Sequence, residues 1–241
     1  YASRGPNATI GEVLGAAAGR VEASFQEQPL VQAAVYESLS GTYDALGLFT
    51  AADECARKAL ELRRGRLPPD HPDIAQSLCC CAQTATKLAR YAQAEEWARE
   101  SLSLRQKHFG LRHPSVVNSL LALGVALSAQ GRQTDAEPYL REAAEQAAEL
   151  LGMEHRLSIF GRFQVAACLV EQVRLDEARP LLEQVVVQAR QALRPDHPDF
   201  ANMLSTLGEV LYREGDWKEA ESAHLEALDI RRRIFGNNHI T

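Results

Sequence analysis

"DHPDIA" at residues 70–75 returns as "DHPDFA" at 196–201, and "RHPSVV" at 112–117 stands between them. The histidines of these phrases, His71, His113 and His197, lie on a spacing of 42 residues, and His155 ("EHRLSI") and His239 fall on the same spacing. Five of the seven histidines therefore share one period. A fixed period in the range of about 20–50 residues marks a repeat array before any other architecture.

The other columns of the repeat agree without an insertion. Twenty-three residues after each histidine, starting one period early at Pro29, stand Ala52, Ala94, Ala136, Ala178 and Ala220. Eleven residues after stand Ser40, Ala82, Gly124, Ala166 and Gly208, all small. Eighteen after stand Gly47, Ala89, Gly131, Val173 and Gly215, and twenty after stand Phe49, Tyr91, Gln133, Leu175 and Trp217. The frame divides the chain into five repeats at 28–69, 70–111, 112–153, 154–195 and 196–237. Residues 1–27 hold an N-terminal capping helix over 8–26, and 238–241 open a further, truncated repeat.

Each repeat reads as two helices. Pro72, Pro114 and Pro198 follow the histidine, where a fixed φ suits a first turn and the missing N–H costs nothing. Asp73 and Asp199 come next, against the positive end of the helix dipole. Apolar residues then recur at helical steps: Ile74, Leu78, Cys81 and Ala85; Val116, Leu120, Leu123 and Leu127; Phe200, Leu204, Leu207 and Leu211. The second helix carries its own stripe, Ala220, Ala223, Ala227, Ile230 and Ile234 in the last repeat. The turn glycines mark the position where a positive φ is needed. The expected fold is all-α, a right-handed α-solenoid of stacked helix hairpins, and it covers the whole chain as one array.

Composition narrows the functions. A net charge of −6 and a pI near 5.7 argue against a nucleic-acid surface. No apolar run is long enough to span a bilayer, so no membrane insertion by this fragment is expected. Five cysteines, three of them adjacent at 79–81, suit reduced thiols better than a disulfide framework. The absence of an initiator Met suggests a fragment of a longer protein.

The small columns, the turn glycine and the aromatic two residues beyond it resemble the tetratricopeptide repeat. The 42-residue spacing with "PDHPD" resembles its kinesin-light-chain variety. The opening stretch "ATIGEVLGAAAGRVEASFQEQPLVQAAVYESLSGTYDALGLF" resembles the start of the repeat region in bacterial serine/threonine protein kinases. That resemblance implies a docking or sensory region of a larger signalling protein with a kinase domain upstream. It implies a cytoplasmic location, or the far side of a membrane if the parent has an upstream span. A self-associating scaffold of an NTPase-type regulator is the alternative.

No catalytic residue, metal site or cofactor is expected. Histidines on stacked repeats stand about 10 Å apart or more, too far to share an ion, so each is read as a helix cap or loop residue bonding to the neighbouring loop. Cys79 falls on a face the family uses for ligands; His224 is expected in the core, and Trp97 and Trp217 at packing positions. Arg162 stands in a column otherwise held by Tyr36, Leu78, Leu120 and Leu204. Either the helix turns so that Ile159 and Phe163 take over the stripe, or Arg162 pairs with an acid; a reach toward a ligand is the functional alternative.

The resemblance places partner contacts on the exposed face of the first helices. Carried onto this sequence, that face gives Gln76, Asn118, Leu121, Val125, Phe160, Phe163, Asn202, Glu209, Tyr212 and Arg213 as the groove for a protein or peptide ligand. Asn118 and Asn202 can each donate to and accept from a peptide backbone. The apolar middle, with Val170, is the part a solvated face would lack.

Overall fold

The computed structural model describes residues 10–235. Among these the chain forms helices throughout: α1 (Ile10–Ser24), α2 (Pro29–Ala45), α3 (Phe49–Arg64), α4 (Pro72–Lys87), α5 (Tyr91–Phe109), α6 (Pro114–Ala129), α7 (Gln133–Leu151), α8 (Arg156–Glu171), α9 (Leu175–Ala192), α10 (Pro198–Glu214) and α11 (Trp217–Phe235). His239 and the truncated repeat at 238–241 lie outside the described residues, as do the first two positions of the expected capping helix.

The chain falls into two compact units, residues 1–130 and 131–241. In the first, α1 packs on α2, α2 pairs with α3 and α4 with α5, and the first helices α2, α4 and α6 touch in sequence. In the second, α8 pairs with α9 and α10 with α11, α7 packs on α8, and α8 touches α10.

The histidine period has a local cause. His71, His113, His155 and His197 are N-caps: each ring Nδ1 accepts the backbone N–H two residues on, at 3.1–3.2 Å. This satisfies one of the amide donors that a helix start leaves open. The ring bonds forward within its own turn, not to a neighbouring repeat's loop.

The turn column does what its glycines suggest. Gly47, Gly131 and Gly215 have φ of 73°, 76° and 91°, and Ala89 and Val173 are forced to 56° and 61°. The alanine column is fully packed from Ala52 to Ala178, and Ser40 Oγ spans the α2–α3 crossing to the Ala52 carbonyl at 2.8 Å.

Polar groups lock successive hairpins. The residue after each column alanine faces the turn of the next repeat. Asp53 lies 2.6 Å from Arg90 as an ion pair and accepts from Thr84 at 3.3 Å. Glu95 accepts from Gln130 at 2.9 Å; Glu137 accepts from Gln172 at 2.8 Å and Arg174 at 2.7 Å. At the last junction the charges are exchanged: Arg179 donates to Glu214 and Asp216, both at 2.6 Å.

A second device is a buried arginine near the end of the second helix. Arg63 pairs with Glu37 of its own repeat at 2.5 Å and donates forward to Ser77 Oγ at 2.7 Å and the Asp73 carbonyl at 3.1 Å. Arg105, only 2% exposed, bonds Gln76 behind it and Ser119 Oγ (3.0 Å) and the Ser115 carbonyl (2.7 Å) ahead.

Candidate binding face

On the first unit, the expected face is largely engaged in holding the protein together. Gln76 is exposed, but its carbonyl oxygen receives the Arg105 guanidinium. Asn118 is half-buried and donates to the Pro114 carbonyl at 3.2 Å, one turn back, leaving its oxygen open. Val125 is half-buried. Lys87 and Asp44 neutralise each other across neighbouring first helices. Leu121 is buried and does not line an open groove. Cys79 is likewise buried, its Sγ 3.7 Å from the Asn118 carbonyl.

Burial holds the thiols in their protonated form. Burial pushes Cys81 up to about 12 and Cys55 to about 11, and raises Cys79, Cys80 and Cys168 as well. Thiolates are disfavoured away from water, and the thiolate is the reactive form.

On the second unit the face is more open. Asn202 and Arg213 are exposed and Glu209 is half-buried; Arg213 bonds Glu209 one turn back, so the two charges cancel locally. Tyr212 is 66% exposed. Asn202 accepts from Arg231 at 3.2 Å through its oxygen, and its amide donors are open. Ser205 has a buried Oγ with no hydrogen-bond partner among the described residues. It stands in the same column as Leu121 and Phe163, but the helical period alone did not single it out, since only coordinates reveal an unpaired hydroxyl.

Phe160 is half-buried, and Phe163 and Val170 are buried. The expectation that Phe163 is available to a ligand is therefore corrected: its side chain is buried within the second unit, where α8 packs on α7 and α9 and touches α10. Among the described residues Arg162 does not pair with an acid; its guanidinium is taken up by α9. Arg162 is buried, and the side-chain oxygens of Gln184 (2.7 Å) and Gln188 hold it. Burial lowers its pKa, while Ile159 and Phe163 fill the stripe beside it.

Two further expectations change. His224 is exposed, not in the core: its ring lies across Gly208, where an added Cβ would meet Nε2 at 2.8 Å. Trp97 packs at a core cluster as expected, whereas Trp217 is 71% exposed. Among the described residues no three metal-binding side chains gather, and no helix is long and apolar enough to cross a membrane.

The paired helices, the left-handed turn column and the packed alanine column recur at the 42-residue spacing. The sequence model of the tetratricopeptide repeat matches residues 31–107, 73–149 and 157–233. The chain belongs to the tetratricopeptide repeat family. No curated protein matches it. Solved tetratricopeptide-type structures share its fold at low identity. The TPR-like repeats of kinesin-light-chain type from Podosopora anserina are 22% identical, with a TM-score of 0.65 over 86% of this chain and 98% of that one. BtubC (BKLC) from P. vanneervenii is 19% identical, with a TM-score of 0.71 over 97% and 96%. A Rap protein complexed with competence and sporulation factor is 14% identical, with a TM-score of 0.76 over 92% of this chain and 59% of its own.

Proposed function

We propose that this tetratricopeptide repeat chain is a non-catalytic binding module, and that the first-helix face of α10 takes a peptide or helix of another protein. The observation that carries the reading is the set of polar and aromatic groups on α10 with little packing duty. Tyr212 stands out in solvent and Asn202 has its amide donors open. A tyrosine offers a large rigid contact at low entropic cost, and an asparagine amide can donate to an extended backbone. Phe160 is the remaining apolar candidate of this unit; Gln76, Asn118 and Val125 are those of the first unit. A fold-level precedent is the Rap protein, whose structure is of a complex with competence and sporulation factor. The resemblance of the opening segment supports a role as the docking region of a larger cytoplasmic signalling protein such as a serine/threonine kinase.

The test is selection of a displayed library of short random peptides on the immobilised protein. Enriched peptides should lose about tenfold or more in affinity with Tyr212→Ala or Asn202→Ala, while the thermal midpoint stays put. Retention of binding by both variants would remove α10 from the site.

A further inference from the structure

Ion pairs 36 residues apart join the outer surfaces of neighbouring helices. Glu22 of the capping helix pairs with Lys58 at 3.0 Å, Arg64 with Glu100 at 2.6 Å, and Arg190 with Glu226 at 2.5 Å. The same register sets Ala148 of α7 against Gln184 of α9, a methyl group and a neutral amide. The position of Gln184 also lies over the first helix beneath it. Lys58, its counterpart in the first repeat, places Nζ 5.1 Å from the Tyr36 ring centre, and Gln184 covers Arg162 in the same way. The charge lacking at this surface junction therefore sits one layer down, on Arg162.

Arg162 is 9% exposed, in a column that elsewhere holds Tyr36, Leu78, Leu120 and Leu204. Both tips of its guanidinium are held by α9: Gln188 Oε1 accepts from one terminal nitrogen and Gln184 Oε1 from the other, at 2.7 Å. These oxygens supply hydrogen bonds but no charge, and a buried cation without an anion keeps much of its desolvation cost. The buried Arg63 differs, because Glu37 neutralises it. Arg105 has no acid either, but it is sealed at 2% exposure and fixed by the Ser115 carbonyl and Ser119 Oγ. Arg162 is held only by two side-chain amides, one of them on an exposed residue.

We propose that Arg162, Gln184 and Gln188 form a binding site for a single carboxylate at the outer surface of α9. Gln184 is exposed and Gln188 half-buried, so both amides can turn without disturbing the core. Turned over, each presents its N–H groups to an oxygen, while the guanidinium fork takes the same carboxylate at two points. Ala148, in the register position of Arg64 and Arg190, is too short to cover the approach. One cation and two neutral amides match a monoanion. A phosphate monoester carries close to two charges at neutral pH, and one would stay uncompensated. The carboxylate comes from a free small acid or from an acidic side chain of a protein. Val187, exposed and three residues on from Gln184, offers the second source an apolar contact beside the fork.

The experiment titrates the whole protein, nitrogen-15 labelled at arginine, with sodium acetate replacing sodium chloride at fixed ionic strength. The arginine Nε–H resonances are followed, and that of Arg162 is assigned by its loss in Arg162→Leu. Arg66 is the control for general ion effects, being exposed and without an acid among the described residues; Arg105 is the sealed control. The Arg162 resonance should saturate at an acetate concentration about tenfold or more below that which moves Arg66, because a carboxylate is held more strongly out of water. Arg105 should stay still. Gln184→Glu, a change at an exposed position, supplies an acid from the chain itself and should abolish the Arg162 response. The capped tripeptide acetyl-alanyl-glutamyl-alanine amide separates the two sources: tighter saturation than acetate assigns a protein's acidic side chain, and equal saturation a free small acid. An Arg162 resonance that moves no earlier than that of Arg66 overturns the proposal. So does an equal response to inorganic phosphate, or a response that survives Gln184→Glu.

Discussion

Single residues show where the repeat is under local constraint. The capping histidines could be taken for a site, because His71 and His197 each stand beside acids. Their geometry instead gives each ring one backbone amide to hold. His197→Ala should lower stability by about 1 kcal/mol, and His197→Asn should restore most of it, since asparagine caps as well; chemical denaturation measures both. The position as a helix start was legible from the proline that follows, but the direction of the bond was not, because a ring nitrogen can reach forward or across. Val173 is the opposite case. It is β-branched, 70% exposed, and held at φ 61° where its repeats have glycine or alanine. Nothing packs there to reward the side chain, and a left-handed L-residue costs about 1–2 kcal/mol. Val173→Gly should therefore raise stability by about 1 kcal/mol, and a lowered denaturation midpoint would count against strain at this turn.

Between elements, buried polar groups set the register. Arg105→Met should cost about 3 kcal/mol or more, because Ser119 Oγ and the Ser115 carbonyl lose a charged donor. Glu137 gives a pH signature. Burial alone would raise its carboxyl, but Gln172, Arg141 and Arg174 outweigh that and hold it below the ordinary 4.5. A carboxylate whose folded pKa is depressed stabilises the fold fully above its unfolded value, and that contribution is lost as pH falls through the lower folded one. The thermal midpoint should thus decline below about pH 4.5, and Glu137→Gln should flatten part of that decline. The helix pairs themselves were readable from the period, since steps of three and four residues name the buried face. Leu121 and Phe163 were misplaced because the period gives a direction and not the gap to the next helix. Small residues such as Gly161 close that gap: a Cβ there would stand 3.2 Å from the Ala144 backbone.

At the scale of the molecule, the array and its family were legible because 42-residue columns survive without an insertion, whereas the partner-facing residues were only partly so. Exposure on α10 depends on which side chains are already used by neighbours, and Arg231 on Asn202 or Arg105 on Gln76 are pairings between distant positions. The thiols give a global probe: iodoacetamide should modify the native protein at least about tenfold more slowly than the urea-unfolded chain, as all five are raised by burial. Arrays of this kind can lose or gain whole repeats when their genes recombine in frame, and the exchanged charges at Arg179 make that event unequal along the chain. Excising residues 154–195 would seat α10 and α11 on α7, bringing Glu137 against Glu214 and Asp216, three acids with Arg141 alone retained beside Glu137 and Arg174 and Arg179 both lost. The repeats look interchangeable in outline, yet the last hairpin is keyed to the one before it, and the gene cannot shorten there without a compensating change of charge.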